Sequence, residues 1–367
     1  MTTAIYKHFF LGFLFLSQFI FAQKGLEALI ISDGVLLKCD NSKLPRDGSI
    51  ELPRTVNRIA KEAFKDCLPL KSISIAGTVT TIEEGAFSGC TNLTKVEILP
   101  NSVTYIGARA FANCTKLLII YLPNSVTNIG EEAFRGCSSL KKIEIPENVS
   151  ELGNRAFMDC SGLQQVNFLG EKLSVISSQL FYQCKQLQKV VLPESVKNIR
   201  SSAFAYCENL SSVTFPKQLE SIGDDAFEYC RRLISIDIPD SVVFVGASAF
   251  NSCSSLMKVK LPYGLRHILN DTFLDCTSLT AVVIPDTVEK INIQAFKNCS
   301  SLVRVQMPLA LTNIYYAAFY GCKSLQYIDL PDEVKYIGGL AFGECQNIQT
   351  VELPKAVTVI ASKVFYN

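Results

Sequence analysis

A phenylalanine returns along this chain at 64, 87, 111, 134, 157, 181, 204, 227, 250, 273, 296, 319, 342 and 365. The interval is 23 residues, except for two of 24, from 87 to 111 and from 157 to 181. Ala precedes the Phe in eleven of the fourteen copies, and a Cys follows three residues later in all but the last. Leu stands three residues after each Cys (Ile348 in the last copy), Ile or Val at six, and another apolar residue at eight. A unit this short cannot bury its own apolar positions. Copies stacked on one another can, so the chain grows around one continuous core. The length of 367 residues would otherwise suggest two or three ordinary domains, and the repeat overrides that expectation.

Each part of the unit has a physical reading. Apolar residues at i and i+2, as in Ile328-Asp-Leu330, predict a strand with one face buried. Pro usually follows, as at Pro123, Pro239 or Pro331, and ends the strand because it cannot donate to the ladder. Ala76 and Gly170 depart from this, and Pro100 comes one residue late. A second extended piece then points Val126 and Ile129 inward. A tight corner follows at Gly130, with equivalents at Gly107, Gly153, Gly223, Gly246 and Gly338. The Ala-Phe-x-x-Cys segment fits one short helical turn, with all three named residues toward the core.

The segment before the repeats reads differently. Residues 1–22 have a polar start at Lys7 and His8, an apolar run from Phe9 to Phe21, and Ala22 at a cleavage position. This predicts a secretory signal peptide. The run is too short to span a bilayer comfortably, and no later segment approaches a span. Residues 23–52 lack the repeat and carry Asp33-Gly34 between two apolar runs, a hairpin signal. They are expected to cap the solenoid, with the repeat domain at 53–367.

Leu117 to Cys137 shows the whole pattern Leu-x-x-Ile-x-Leu-Pro-x-Ser-Val-x-x-Ile-Gly-x-x-Ala-Phe-x-x-Cys. It resembles the BspA-like, or Treponema pallidum type, leucine-rich repeat, from Pro53 to the C-terminus. The resemblance implies a leucine-rich repeat solenoid: a β-rich curved superhelix with a parallel sheet and short helical turns, about thirteen repeats long. At roughly 4.8 Å per rung such an array is about 60 Å long. The family also implies secreted or cell-surface proteins of bacteria and protists, several of them associated with host-protein binding or adhesion.

Composition and motifs exclude more than they assign. Lys plus Arg is 35 and Asp plus Glu is 34, so no basic excess draws in nucleic acid or an anionic membrane. Thirteen of the fourteen cysteines share one repeat position, and the fourteenth is Cys39. Stacked neighbours about 4.8 Å apart sit beyond the roughly 3.8 Å Cβ separation of a disulfide. A ladder of buried thiols is therefore expected, with no metal site, since parallel side chains do not converge on an ion. The Phe column reads as core. His267 is the one histidine outside the expected signal, and it has no hydrolase partner in any recognised motif. Asp224-Asp225 and Glu131-Glu132 read as solvated corners. No cofactor is expected. Asn92, Asn113, Asn148, Asn209, Asn270 and Asn298 begin glycosylation sequons, two of them with a ladder Cys in the middle.

What varies between copies is the exposed columns: Lys95 and Glu97, Ile119 and Tyr121, Lys189 and Val191, Tyr327 and Asp329 on the strand, and Tyr105, Phe244, His267, Lys290 and Tyr336 on the second piece. Aromatics mixed with cations suit protein recognition. The candidate partner-binding patch is Val243, Phe244, Tyr263, Arg266, His267, Tyr316 and Tyr336. The expected function is non-enzymatic: protein binding or adhesion to host cells or extracellular matrix. The alternative is a structural or antigenic surface protein with no specific ligand. An enzyme would need a deep pocket with convergent polar groups, which a filled solenoid should lack.

Overall fold

The computed structural model describes residues 25–366, and the signal segment expected at 1–22 lies outside them. The chain winds as a series of coils carrying two parallel strand ladders and a turn-built corner. The long-strand ladder begins at Ser49–Glu51, Ser72–Ile75, Lys95–Ile98 and Ile119–Tyr121 and continues through Arg304–Gln306. Register is strict: Val96 faces Ile73 on one side and Ile120 on the other, one coil away each time. The short-strand ladder runs from Arg58–Ile59 to Val359–Ile360, two residues per coil, with the inward Ile or Val of each coil paired to the next. Residues 25–52 hold an antiparallel hairpin, Leu29–Ser32 with Val35–Cys39, turning at Asp33 and Gly34, both at positive φ. Its second strand pairs in parallel with Arg58–Ile59 and so heads the short-strand ladder.

The core is a set of identical columns. All fourteen repeat phenylalanines stack ring on ring, with centroids 4.8 Å apart at Phe64–Phe87 and 5.7 Å at Phe342–Phe365. Planes are near parallel, 2° at Phe134–Phe157, so the rings stack offset, which is the favoured arrangement for like quadrupoles. The Ala, Cys, Leu and Ile/Val columns are buried beside them.

The corner departs from the expected helical turn. Among the described residues, 3-10 helix occurs only at Leu26–Ala28 and Asn41–Lys43, outside the coils. In the first coil the N–H groups of Ala63, Lys65 and Cys67 donate three residues back, while those of Glu62, Phe64 and Asp66 donate to Glu84, Ala86 and Ser88 of the next coil. Alternate donors thus leave the coil, so no continuous helical ladder can form. The geometry needs left-handed residues at Glu62 and Asp66, with φ of 57° and 54°. Every backbone donor in this buried corner is satisfied, which is what permits it to be buried.

All fourteen cysteines are free and buried. They do more than fill space. The thiol of Cys90 donates to the carbonyl of Phe64 at 2.9 Å, and the same bond recurs from Cys137 to Phe111 and from Cys322 to Phe296, each at 3.2 Å. Cys67 has no such carbonyl behind it, and the thiol of Cys39 meets it instead, carrying the column into the hairpin.

Candidate binding face

Two outward columns flank the core, and the residues on them are set by register. On the long-strand ladder Tyr121, Val191, Val283 and Tyr327 stand exposed on strand positions, Tyr121 at 66% and Tyr327 at 64%. On the short-strand ladder the outward position reads Phe244, His267, Lys290, Asn313 and Tyr336 over five successive coils. The residue just before it carries hydroxyls in the early coils. There Thr104 and Thr127 each bond the carbonyl one coil back. Val243 and Arg266 occupy that same position where the hydroxyl column is interrupted, before it resumes at Thr312 and Thr358.

The seven candidate residues do not form one cluster. Val243, Phe244, Tyr263 and Arg266 project from two adjacent coils, with Phe244 at 45% exposure and Tyr263 at 69%. Arg266 pairs with Glu289 of the following coil at 3.4 Å. His267 and Tyr336 are half-buried, three coils apart on one column. Tyr316 lies past the end of its strand, in the corner, against Gly339 of the next coil. Tyr336 packs instead on Tyr315, with ring centroids 5.7 Å apart and tilted by 51°.

Strand pairing is interrupted at two places on this ladder, between Glu151–Leu152 and Val175–Ile176, and between Phe244–Val245 and His267–Ile268. At both places the residue after the inward apolar position changes from Gly to one with a side chain. Where it is Gly, backbones approach closely: a Cβ on Gly153 would lie 2.3 Å from Glu131 N, and one on Gly246 would lie 2.4 Å from Asp224 N. The next copies carry side chains there, Ser177 after Gly153 and Leu269 after Gly246. Pairing is lost where Ser177 and Leu269 follow a Gly coil, whereas Ala361, the smallest side chain, follows Gly338 with pairing kept. Ser177 partly repairs the gap, its hydroxyl bonding the Leu152 carbonyl, whereas Leu269 has nothing to offer.

After Leu269 the same position is Asn292 and then Tyr315, so three consecutive coils lack the Gly. Here a cleft of about 320 Å³ opens, lined by His267, Asn270, Lys290, Asn292, Ile293 and Tyr315. Two buried polar atoms on its walls have no partner, His267 Nδ1 and Asn292 Oδ1. Asn270 is held by accepting from the Ile293 N–H at 3.2 Å. The adjoining Thr272 hydroxyl, the third residue of the Asn270 sequon, is buried and donates to Leu269. Asn292 and Tyr315 escaped the sequence reading, although their standing where six copies carry Gly was a visible signal. A further aromatic feature also escaped it: at the corner Tyr206 stacks on Tyr229 with centroids 4.7 Å apart, Tyr182 meets Tyr206 at 5.4 Å tilted by 59°, and Arg231 lies over Tyr229. The described residues hold no group of three or more His, Cys, Asp or Glu side chains that could hold a metal ion.

With this geometry in hand, the comparisons are specific. The sequence matches the family described as BspA type leucine rich repeat region, in six copies, over residues 46–164, 174–281 and 266–367. A leucine-rich repeat protein from Bacteroides ovatus has 33% identity and a TM-score of 0.69, covering 86% of this chain and 88% of its own. A leucine rich cell surface protein from Faecalibacterium prausnitzii has 26% identity and a TM-score of 0.54, covering 88% of this chain and 96% of its own. A leucine-rich repeat protein from Eubacterium ventriosum, at 23% identity and a TM-score of 0.56 over 85% of this chain and 86% of its own, shares the fold. No curated protein matches the sequence.

Proposed function

The chain belongs to the BspA-type leucine-rich repeat family, and on that premise we propose that it is a non-enzymatic, secreted or cell-surface protein that binds other proteins. Its variable columns are the binding surface, and adhesion to host cells or extracellular matrix is the role they serve. The observation that carries this reading is the set of exposed aromatic and aliphatic side chains on or beside strand positions: Tyr121, Val191 and Tyr327 on one ladder, Val243 and Phe244 on the other. They stand on rigid backbone, so a partner pays little ordering entropy to meet them. Tyr and Arg anchors among apolar neighbours are what binding hot spots are made of. The Faecalibacterium neighbour is described as a cell surface protein, which supports the proposed location. No helix among the described residues is long and apolar enough to cross a membrane. The hairpin within 23–52 serves, on this reading, as the cap that covers the first coil.

The test is surface binding. The purified protein is immobilised and exposed to a panel of host matrix proteins and to intact host cells, beside Phe244→Ala and Tyr336→Ala. Saturable binding that falls about tenfold or more in either variant, with unchanged melting, is expected. Absence of any partner across the panel, or indifference to both substitutions, would return the protein to the alternative of a structural or antigenic surface role.

A further inference from the structure

The cleft at His267 and Asn292 offers an unusual set of groups. His267 Nδ1 and Asn292 Oδ1 are buried and unpartnered, as is Asp271 Oδ1 on the adjoining coil segment. Buried polar atoms without partners are few in folded proteins, and each costs free energy that a ligand could recover. Neither His267 nor Asn292 makes a side-chain hydrogen bond. Both are half-buried and line the cleft. The donors present are the Lys290 ammonium, which has no salt bridge among the described residues, and the Asn270 amide N–H₂, whose oxygen is already engaged. Tyr315 adds an aromatic wall, braced by Tyr336.

This set discriminates between ligand classes. An anion would be met by Lys290 but would bring no proton to Asn292 Oδ1. A cation would satisfy that oxygen but would be repelled by Lys290. A neutral ligand rich in hydroxyls suits both, because each hydroxyl donates one bond and accepts others. The C–H face of a pyranose ring also packs on an aromatic wall. The volume lies at the small end of ligand pockets, room for one or two sugar rings.

We propose that the surface cleft spanning the paired coils of His267, Lys290 and Tyr315 is a saccharide-binding site, taking a neutral pyranose unit with its hydroxyls on His267 and Asn292 and its ring against Tyr315. It exists because three consecutive coils carry Leu269, Asn292 and Tyr315 where others carry Gly. The site shares His267 and Lys290 with the outward column; Phe244→Ala reads the protein-binding surface and Asn292→Gly reads the cleft, so either can fail while the other stands.

The experiment is saturation-transfer NMR and calorimetry on the whole protein with D-glucose, D-galactose, N-acetylglucosamine and maltose as probes. Sodium acetate and tetramethylammonium serve as charged controls. Binding of at least one neutral sugar is expected, weakened about tenfold in Asn292→Ala and in His267→Ala, since each removes one hydrogen bond. Asn292→Gly installs the residue that six other copies carry and keeps the coil foldable, and it should lose binding to the same degree. Lys217→Ala, an exposed position outside both surfaces, should leave binding unchanged. No sugar binding up to the solubility limit, binding that Asn292→Gly leaves intact, or a preference for acetate or tetramethylammonium over every sugar would overturn the assignment.

Discussion

Leu269 follows Gly246 by one coil, and between these two residues the short-strand ladder loses its pairing. The relationship is steric. The backbone beside Gly246 leaves 2.4 Å where a Cβ would stand, and Leu269 brings a Cβ to the equivalent place. The bulk of the added side chain matters, since Ala361 follows Gly338 by one coil and those two strands stay paired.

Gly246→Ala tests this directly. The new Cβ meets backbone of the preceding coil, Asp224 N and Gly223 C, which cannot rotate away. A loss of about 1–3 kcal/mol is expected in denaturant melts, with weakened hydrogen-exchange protection at Val245 and Gly246. The opposite change, Leu269→Gly, should raise protection of His267 and Ile268 by letting the two coils pair. If Gly246→Ala is neutral, the steric account of the break fails.

Truncating the ring column should be far more damaging than trimming the surface. Phe204 lies between Phe181 and Phe227, at 5.4 and 5.2 Å, and is fully buried. Phe204→Ala should cost about 3–5 kcal/mol. Tyr121→Ala should stay within about 0.5 kcal/mol. Because each coil touches only its neighbours, the deletion should also split thermal unfolding into two stages.

The thiols give an alkaline signature. Burial pushes Cys114 and Cys160 up from 9.0 to about 12. Their folded forms hold the proton more tightly than the unfolded chain does, so their contribution is fully present below pH 9 and is lost as pH rises toward 12. Melting temperature should fall across that window. At pH 8 iodoacetamide should leave the ladder thiols of the native protein unmodified and label them after unfolding. Cys207→Ser keeps a donor for the Phe181 carbonyl, 3.2 Å away, and should cost less than Cys207→Ala.

Glu132 gives the acidic counterpart. Its side chain is 7% exposed and bonded by Arg109 at 2.8 Å, with Arg135 at 3.5 Å and Arg155 at 3.9 Å. The hydrogen bond from Arg109 holds its carboxyl below the ordinary 4.5, against the opposing effect of burial. The folded state therefore binds this proton less tightly. Its stabilisation is present above pH 4.5 and is lost as pH falls further. Glu132→Gln should cost about 1–2 kcal/mol at neutral pH and flatten the acid limb of the stability curve. An unchanged acid limb would show that other carboxylates govern it.

The columns were legible from the chain alone. A Phe every 23 residues, with Ala before it and Cys three after, fixes which side chains meet, because equivalent positions in a stacked array can only face their own copies. The same logic identified Tyr121, Phe244 and Tyr327 as outward. The corner was harder. Ala63, Phe64 and Cys67 all face inward as a helical turn would have them, yet alternate N–H groups bond the next coil, a choice that depends on a partner 22 residues away. Spacing within the segment cannot distinguish the two.

The cleft shows the same division most sharply. That Leu269, Asn292 and Tyr315 replace a recurrent Gly is written in the sequence. That the replacement opens the ladder before His267 and leaves two polar atoms unpartnered is decided only when each Cβ is set against the backbone of the coil below. Periodicity determines which residues are neighbours, since it is a property of the chain. The distance between neighbours, and the space left between them, is a property of two coils at once and belongs to the tertiary structure.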